Sequence, residues 1–235
     1  GRINLEYRPS DGWGGSLMAL TEETRAQLLE IVARYPVPRS ALNPMLHLVQ
    51  SEEGYVSPEG IELCAEIVGL APAEVAAVAT FYTMYKRRPM GEHHIGVCVN
   101  PQCGILGGEA IFDALSSDLE IGNDETSADG KITIERIECQ AACTYAPVAT
   151  VDWEFMDDMS VDKMRDVVAK LRSGEEVQSS RGPVVQGFRA AERAIAGMDD
   201  GQADAGANNA DANMQRGLTV AKEQGMPAVD GGLKS

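Results

Sequence analysis

Long apolar runs are missing from this sequence. No stretch of about 18 or more apolar residues occurs, so no membrane-crossing helix is expected. No basic and apolar leader opens it; it starts at Gly1 rather than Met, and a cytoplasmic setting is expected on that account. Basic residues are scarce, with 20 Lys and Arg against 36 Asp and Glu and a net charge of −16. Nucleic-acid binding needs a basic face to meet phosphates, and this balance argues against it. Nucleotide signatures are lacking as well: no G-x-G-x-x-G follows a strand-like run, and no G-x-x-x-x-G-K-[ST] occurs. No Ser/His/Asp or Cys/His grouping suggests hydrolysis. C-x-x-C is absent, which excludes a thioredoxin-type redox pair.

What is there is a set of five cysteines, four of them grouped. Cys98-Val-Asn-Pro-Gln-Cys103 is C-x4-C, and Cys139-Gln-Ala-Ala-Cys143 is C-x3-C. A strand-like run, His94 to Cys98, feeds the first pair; a second, Lys131 to Glu138, feeds the other. Two strands ending side by side in one sheet would gather the four sulfurs into a metal or iron–sulfur site. On spacing alone, a binuclear iron–sulfur cluster leads, a structural zinc follows, and disulfides or inert thiols come last. Zinc pairs sit two to four residues apart, so x4 is at the loose end. Disulfides suit small secreted domains, and here an odd fifth Cys remains. A Rieske centre needs two His ligands, and nothing near Cys139 matches His93 and His94. The three close cysteines of plant-type ferredoxins are lacking.

The rest of the chain divides by composition. Residues 1–16 are polar and Gly-rich with Trp13 as the one large apolar anchor, an expected extended arm. Residues 17–91 read as a small helical bundle. Thr21 caps a first helix with Glu22 and Glu23 in its opening turn, and Leu28, Leu29, Ile31 and Val32 form its expected buried stripe. Ser40 is the expected cap of a second helix, with Leu42, Met45, Leu46 and Val49 inward. Ser57-Pro58 opens a third and Gly69 closes it, with Cys64 a buried, inert thiol. Pro72 opens a fourth, with Val75, Val78, Ala79 and Tyr82 inward. Phe81, Tyr82 and Tyr85 crowd its end, as core packing or as a patch for a partner subunit. Lys86-Arg87-Arg88 follows as the one positive cluster, a solvated helix end or a docking point for an acidic partner.

Residues 92–173 read as strand, loop, helix, strand, loop, strand, helix: a thioredoxin-like α/β domain. The class is therefore α+β, a helical bundle followed by that domain. This segment holds 6 basic against 16 acidic residues and most of the charge imbalance. Such surroundings read as a solvated acidic surface that aids solubility, or as a field that disfavours an added electron and pushes a cluster's potential down. Cys103 is expected just before a helix start, where the dipole favours thiolate, with Gly104, Gly107 and Gly108 admitting backbone N–H groups to sulfur. Gly122 to Gly130 reads as a polar turn region, and Ser160 as the cap of a helix packing Val161, Met164, Val167, Val168 and Leu171. Residues 174–235 are rich in Gly, Ala, Asp and Asn, with Phe188 the single aromatic. They are expected to be an extended tail that gains order along partner subunits.

The cysteine pattern followed by Ala146-Pro147 resembles the thioredoxin-like 2Fe–2S ferredoxin family. Ser40-Ala-Leu-Asn-Pro-Met-Leu-His-Leu-Val-Gln50 and Val78-Ala-Thr-Phe-Tyr-Thr-Met-Tyr85 narrow the resemblance to the small iron–sulfur subunits of the NADH-oxidising module of respiratory complex I. It spans roughly residues 17–172. The resemblance implies one 2Fe–2S cluster per chain, held by Cys98, Cys103, Cys139 and Cys143. It also implies a flavin- and NADH-binding partner subunit holding FMN, a large iron–sulfur subunit, and a peripheral place on the cytoplasmic side of a bacterial inner membrane. The complex so implied oxidises NADH, reduces a quinone and pumps ions. Soluble NAD-linked formate dehydrogenases and hydrogenases share the motif and give a second expectation; a zinc-stabilised interaction module is a third. Family members often carry Thr after the first Cys, where this chain has Val99 and Asn100, so hydrogen bonding to the sulfurs is expected to differ.

Overall fold

The computed structural model describes residues 20–202, 205–206 and 216–225. The expected arm over residues 1–16, with Trp13, lies outside the described residues. The described chain falls into two compact units, one within 1–89 with 195–197, the other within 90–194 and 198–235.

The first unit is helical: α1 (Glu22–Ala33), α2 (Leu42–Glu53), α3 (Pro58–Val68) and α4 (Pro72–Phe81). Thr21 accepts from the Thr24 N–H and Ser57 from the Gly60 N–H, so both side-chain caps form as the sequence expects. Gly54 and Gly69 end α2 and α3 in the left-handed conformation that favours glycine. Leu28, Ile31, Met45, Leu46, Val49, Cys64 and Val75 are fully enclosed in this unit.

Several local expectations fail here. Ser40 does not cap α2; it lies in a 3-10 turn, Pro38–Ala41, and Ala41 occupies the cap position without a side-chain bond. Leu29 and Tyr82 are exposed, because α1 and α4 each bury a narrower stripe than their apolar residues would allow. Phe81 and Tyr82 meet edge to face outside, 5.0 Å between centroids, while Tyr85 turns inward against His47. Lys86 is buried, so the basic triplet is not one solvated cluster. Its backbone N–H donates to Gln50 Oε1 at 2.6 Å and its Nζ to Thr83 O at 3.0 Å. Gln50 also donates to Met84 O at 3.0 Å; a fully buried amide thus fixes the chain leaving α4.

The second unit is built on a five-stranded mixed sheet in the order β2-β3-β1-β4-β5. Its elements are β1 (His93–Cys98), α5 (Pro101–Ile105), α6 (Gly108–Leu119), β2 (Glu125–Thr126), β3 (Ile132–Ile137), β4 (Ala149–Val151), β5 (Glu154–Met156) and α7 (Val161–Ser173). The expected polar turn region after α6 thus contains the short strand β2. β1 and β3 run parallel, with Cys98 opposite Ile137; β4 is antiparallel to β1, with Val97 opposite Ala149. Alternation puts Ile95, Val97, Ile132, Ile134, Ala149 and Val151 in one core with Ile111, Phe112 and Leu115 of α6 and Met164, Val168 and Leu171 of α7. Ser160 caps α7 by accepting from the Lys163 N–H.

The other sheet face carries the buried polar residues His94, Thr133 and Thr150. At the start of β1, His93 Nδ1 lies 2.7 Å from Asp152 Oδ2, and the His94 N–H donates to Asp152 Oδ1 at 2.8 Å. Over this face come α8 (Phe188–Ile195) and the chain before it. Phe188 is fully buried, its ring 6.0 Å from His94 and 6.3 Å from Trp153, and Trp153 Nε1 donates to Glu192 Oε1 at 2.6 Å. Part of the segment expected to be extended therefore packs on this chain's own sheet. A last helix, α9, spans Arg216–Glu223.

Candidate iron–sulfur centre

Parallel pairing in register delivers the ends of β1 and β3 to the same sheet edge. Cys98 is the last residue of β1, and Cys139 follows two residues after Ile137. The Cys98 N–H donates to Val148 O at 3.1 Å, which brings the turn Cys143–Tyr145, just before β4, to that edge as well. Cys103 sits inside α5 rather than just before a helix, because Pro101 starts a separate short turn ahead of α6.

The structure brings the four cysteines together as two pairs. Cys139 Sγ and Cys143 Sγ are 3.7 Å apart and exposed. Two thiolates on one tetrahedral metal with bonds of about 2.3 Å stand about 3.8 Å apart, so this pair has the spacing of shared ligands. Cys98 and Cys103 are buried and in contact with each other, within a pocket of Ile137 and Val148 flanked by Tyr145 and Phe155. Among the described residues, no group of three or more His, Cys, Asp or Glu side chains gathers closely enough for a single ion. Two pairs of thiols at the ends of adjacent strands could each serve one iron of a two-iron group. The residues thus fit a binuclear cluster.

Donors to sulfur are in place. Ala141 N–H points at Cys139 Sγ at 3.4 Å, and Asn100 Nδ2 at Cys98 Sγ at 3.6 Å. Burial pushes the Cys103 thiol up to about 11, against the pull of a hydrogen bond from the Val148 backbone. Cys143 is raised by its contact with Cys139. Ligation must therefore displace protons from the thiols, and metal binding supplies that free energy. Cys64 lies in the other unit, where burial lifts its thiol to about 12.

The glycines act differently from the sequence expectation. A Cβ on Gly108 would fall far inside contact with Cys98 O and 3.0 Å from Cys103 O, and one on Gly104 would meet Val99 O at 2.9 Å. They let α5 and α6 close onto backbone carbonyls, which places Cys103 beside Cys98. The sequence marks Asn100 as a place where hydrogen bonding to the sulfurs differs; the structure shows that its amide is itself a donor there.

A mixed sheet with α6 and α7 on one face, α8 over the other and four cysteines at and beyond the ends of its central strands is the arrangement of a thioredoxin-like domain with a thiol-rich site. Residues 28–172 match the family model of the thioredoxin-like [2Fe-2S] ferredoxins, and the chain belongs to that family. It is therefore a 2Fe–2S protein. It is 49% identical over 199 residues to the NADH-quinone oxidoreductase subunit designated E in Mycobacterium tuberculosis, covering 85% of this chain and 79% of that one. It is 35% identical over 164 residues to NADH-quinone oxidoreductase subunit 2 of Thermus thermophilus, covering 68% of this chain and 91% of the relative. Among solved structures, an NAD+-reducing [NiFe]-hydrogenase superposes with a TM-score of 0.51 at 20% identity, over 57% of this chain and 23% of the much longer hydrogenase chain. That likeness shows the fold. No single helix among the described residues is long and apolar enough to cross a membrane.

Proposed function

We propose that this chain is the small electron-transfer subunit of an NADH-quinone oxidoreductase, with Cys98, Cys103, Cys139 and Cys143 as the cluster ligands. The observation that carries it is the convergence of the four cysteines, as two pairs, on one edge of a sheet in a chain of this family. The relatives at 49% and 35% identity bear the subunit names of that complex. A bound 2Fe–2S cluster supplies one-electron transfer. The buried Cys98 and Cys103, among Ile137, Val148 and Phe155, would hold it out of water, and the exposed Cys139 and Cys143 would complete the ligand set. NADH and FMN belong to a partner subunit, and the acidic cluster domain offers them no basic cradle.

The partners in this proposal are the flavin- and NADH-binding subunit and the large iron–sulfur subunit, on the cytoplasmic side of the membrane. The tail beyond residue 173 docks on them in part. Cutting the tail equally fast in the free chain and in the complex rules out that docking.

The test is anaerobic isolation with partners, followed by EPR during reduction by NADH. About two irons and two labile sulfides per chain are expected, with a 2Fe–2S signal that Cys103→Ser strongly weakens or abolishes and Cys64→Ala leaves intact. Zinc without sulfide, or a signal unchanged in Cys103→Ser, overturns the ligand set.

A further inference from the structure

Asn100 stands at the N-cap of α5 with the extended backbone of a cap residue, yet its side chain makes no capping bond. Asparagine is among the best cap residues because its side-chain oxygen satisfies a free N–H of the first turn. Here the amide is turned away. Nδ2 donates to Ile137 O at 2.9 Å and points at Cys98 Sγ at 3.6 Å. One side chain thus bridges the exits of β1 and β3, the two strands that carry the cysteine loops. Its place is half-buried beside a sulfur that is itself enclosed.

We propose that Asn100 is a positioning and tuning residue for the cluster: it locks the two cysteine loops together and aims an N–H at the Cys98 sulfur, raising the reduction potential. The proposal rests on the ligand set above. Reduction adds one electron, and part of the added charge falls on the ligand sulfurs. A donor aimed at sulfur stabilises the more negative form, and burial of that sulfur strengthens the effect. Ala141 and Val148 serve Cys139 and Cys103 from the backbone, so substitution cannot remove them simply. Asn100 serves Cys98 from a side chain, which makes this donor the one open to exchange. It offsets the lowering pressure of the acidic residues of this segment.

Loosening the loops and losing the donor act in opposite directions. A looser loop admits water, which stabilises the reduced form and raises the potential; a lost donor lowers it. The test is an EPR-monitored redox titration of the full chain with its cluster, comparing wild type with Asn100→Leu and Asn100→Asp. Both variants are expected to shift the couple toward the oxidised form, by roughly tenfold for Asp, equal to about 59 mV for one electron. The Leu variant shifts less, since it removes the donor without adding charge. Fe–S stretching bands in resonance Raman spectra are expected to move with the potential. If Asp does not retain the cluster, Leu decides. A potential unchanged or raised in the variants that keep the cluster overturns the proposal. A wild-type chain without iron and sulfide overturns the ligand reading instead, so the two failures are distinct.

Discussion

His94 and Glu135 face each other across the parallel strands β1 and β3, Nε2 of one 2.8 Å from Oε2 of the other. The His94 side chain is wholly enclosed, and its Nδ1 has no hydrogen-bond partner among the described residues. With one ring nitrogen already unsatisfied, the bond to Glu135 is hard to replace. Glu135→Leu strands the second nitrogen, and a buried unsatisfied donor costs about 1–3 kcal/mol. Urea unfolding is expected to show a loss of that order, while the EPR signal persists because no cysteine moves.

Gly108 is where α6 meets the backbone of Cys98 and Cys103. The obstructing atoms are carbonyl oxygens of the chain, which cannot swing aside as a flexible side chain would. Gly108→Ala is expected to push α6 outward, separate Cys103 from Cys98 and lower iron content well below the wild-type level. Stability falls by about 2 kcal/mol or more. Full iron loading in this variant would show that the close approach is not needed.

Asp129 holds the turn that launches β3. It accepts from Ser127 Oγ at 2.6 Å and from the Lys131 N–H at 3.1 Å, and pairs with Arg172 of α7 at 2.7 Å. Ser127 first, then the Lys131 N–H and Arg172, hold its carboxyl down to about 2. A carboxyl held lower in the folded than in the unfolded chain stabilises the fold above the unfolded value, about 3.9, and loses that effect as pH falls toward 2. Asp129→Asn is expected to cost about 1 kcal/mol at pH 7, the pairing being partly screened. The gap to wild type narrows between about pH 4 and pH 2. Denaturant melts across that range check the sign.

Phe188 is fully buried over the polar sheet face, against His94 and Trp153. Phe188→Ala is expected to cost about 3–5 kcal/mol, the range for emptying a large aromatic site. Protease is then expected to cut between residues 175 and 195 faster than in wild type. An unchanged melting curve would mean that α8 adds nothing to the unit.

Much of this was legible in the sequence, because the signals were local. Thr21, Ser57 and Ser160 announce helix starts, Gly69 a helix end, and the alternation in β3 its buried face. The two cysteine loops were visible from their spacing and the strand-like runs before them. What escaped depends on partners far along the chain. Lys86 looks solvated until Gln50, 36 residues earlier, takes its backbone N–H. His93 finds Asp152 across 59 residues, and no local pattern carries that pairing. Phe188 was diluted by the Gly- and Asp-rich residues around it, since composition averages away a single buried ring. Tyr82 and Leu29 failed for a simpler reason: apolar spacing says which residues could face a core, not how wide that core is.

Of the four grouped cysteines, Cys139 and Cys143 lie at the protein's skin and Cys98 and Cys103 beneath it. Air therefore meets the centre from one side. Cys139 and Cys143 are the exposed pair, 3.7 Å apart, and are expected to oxidise ahead of the buried Cys98 and Cys103. Damage to the free chain is therefore expected to fall first on the outer pair.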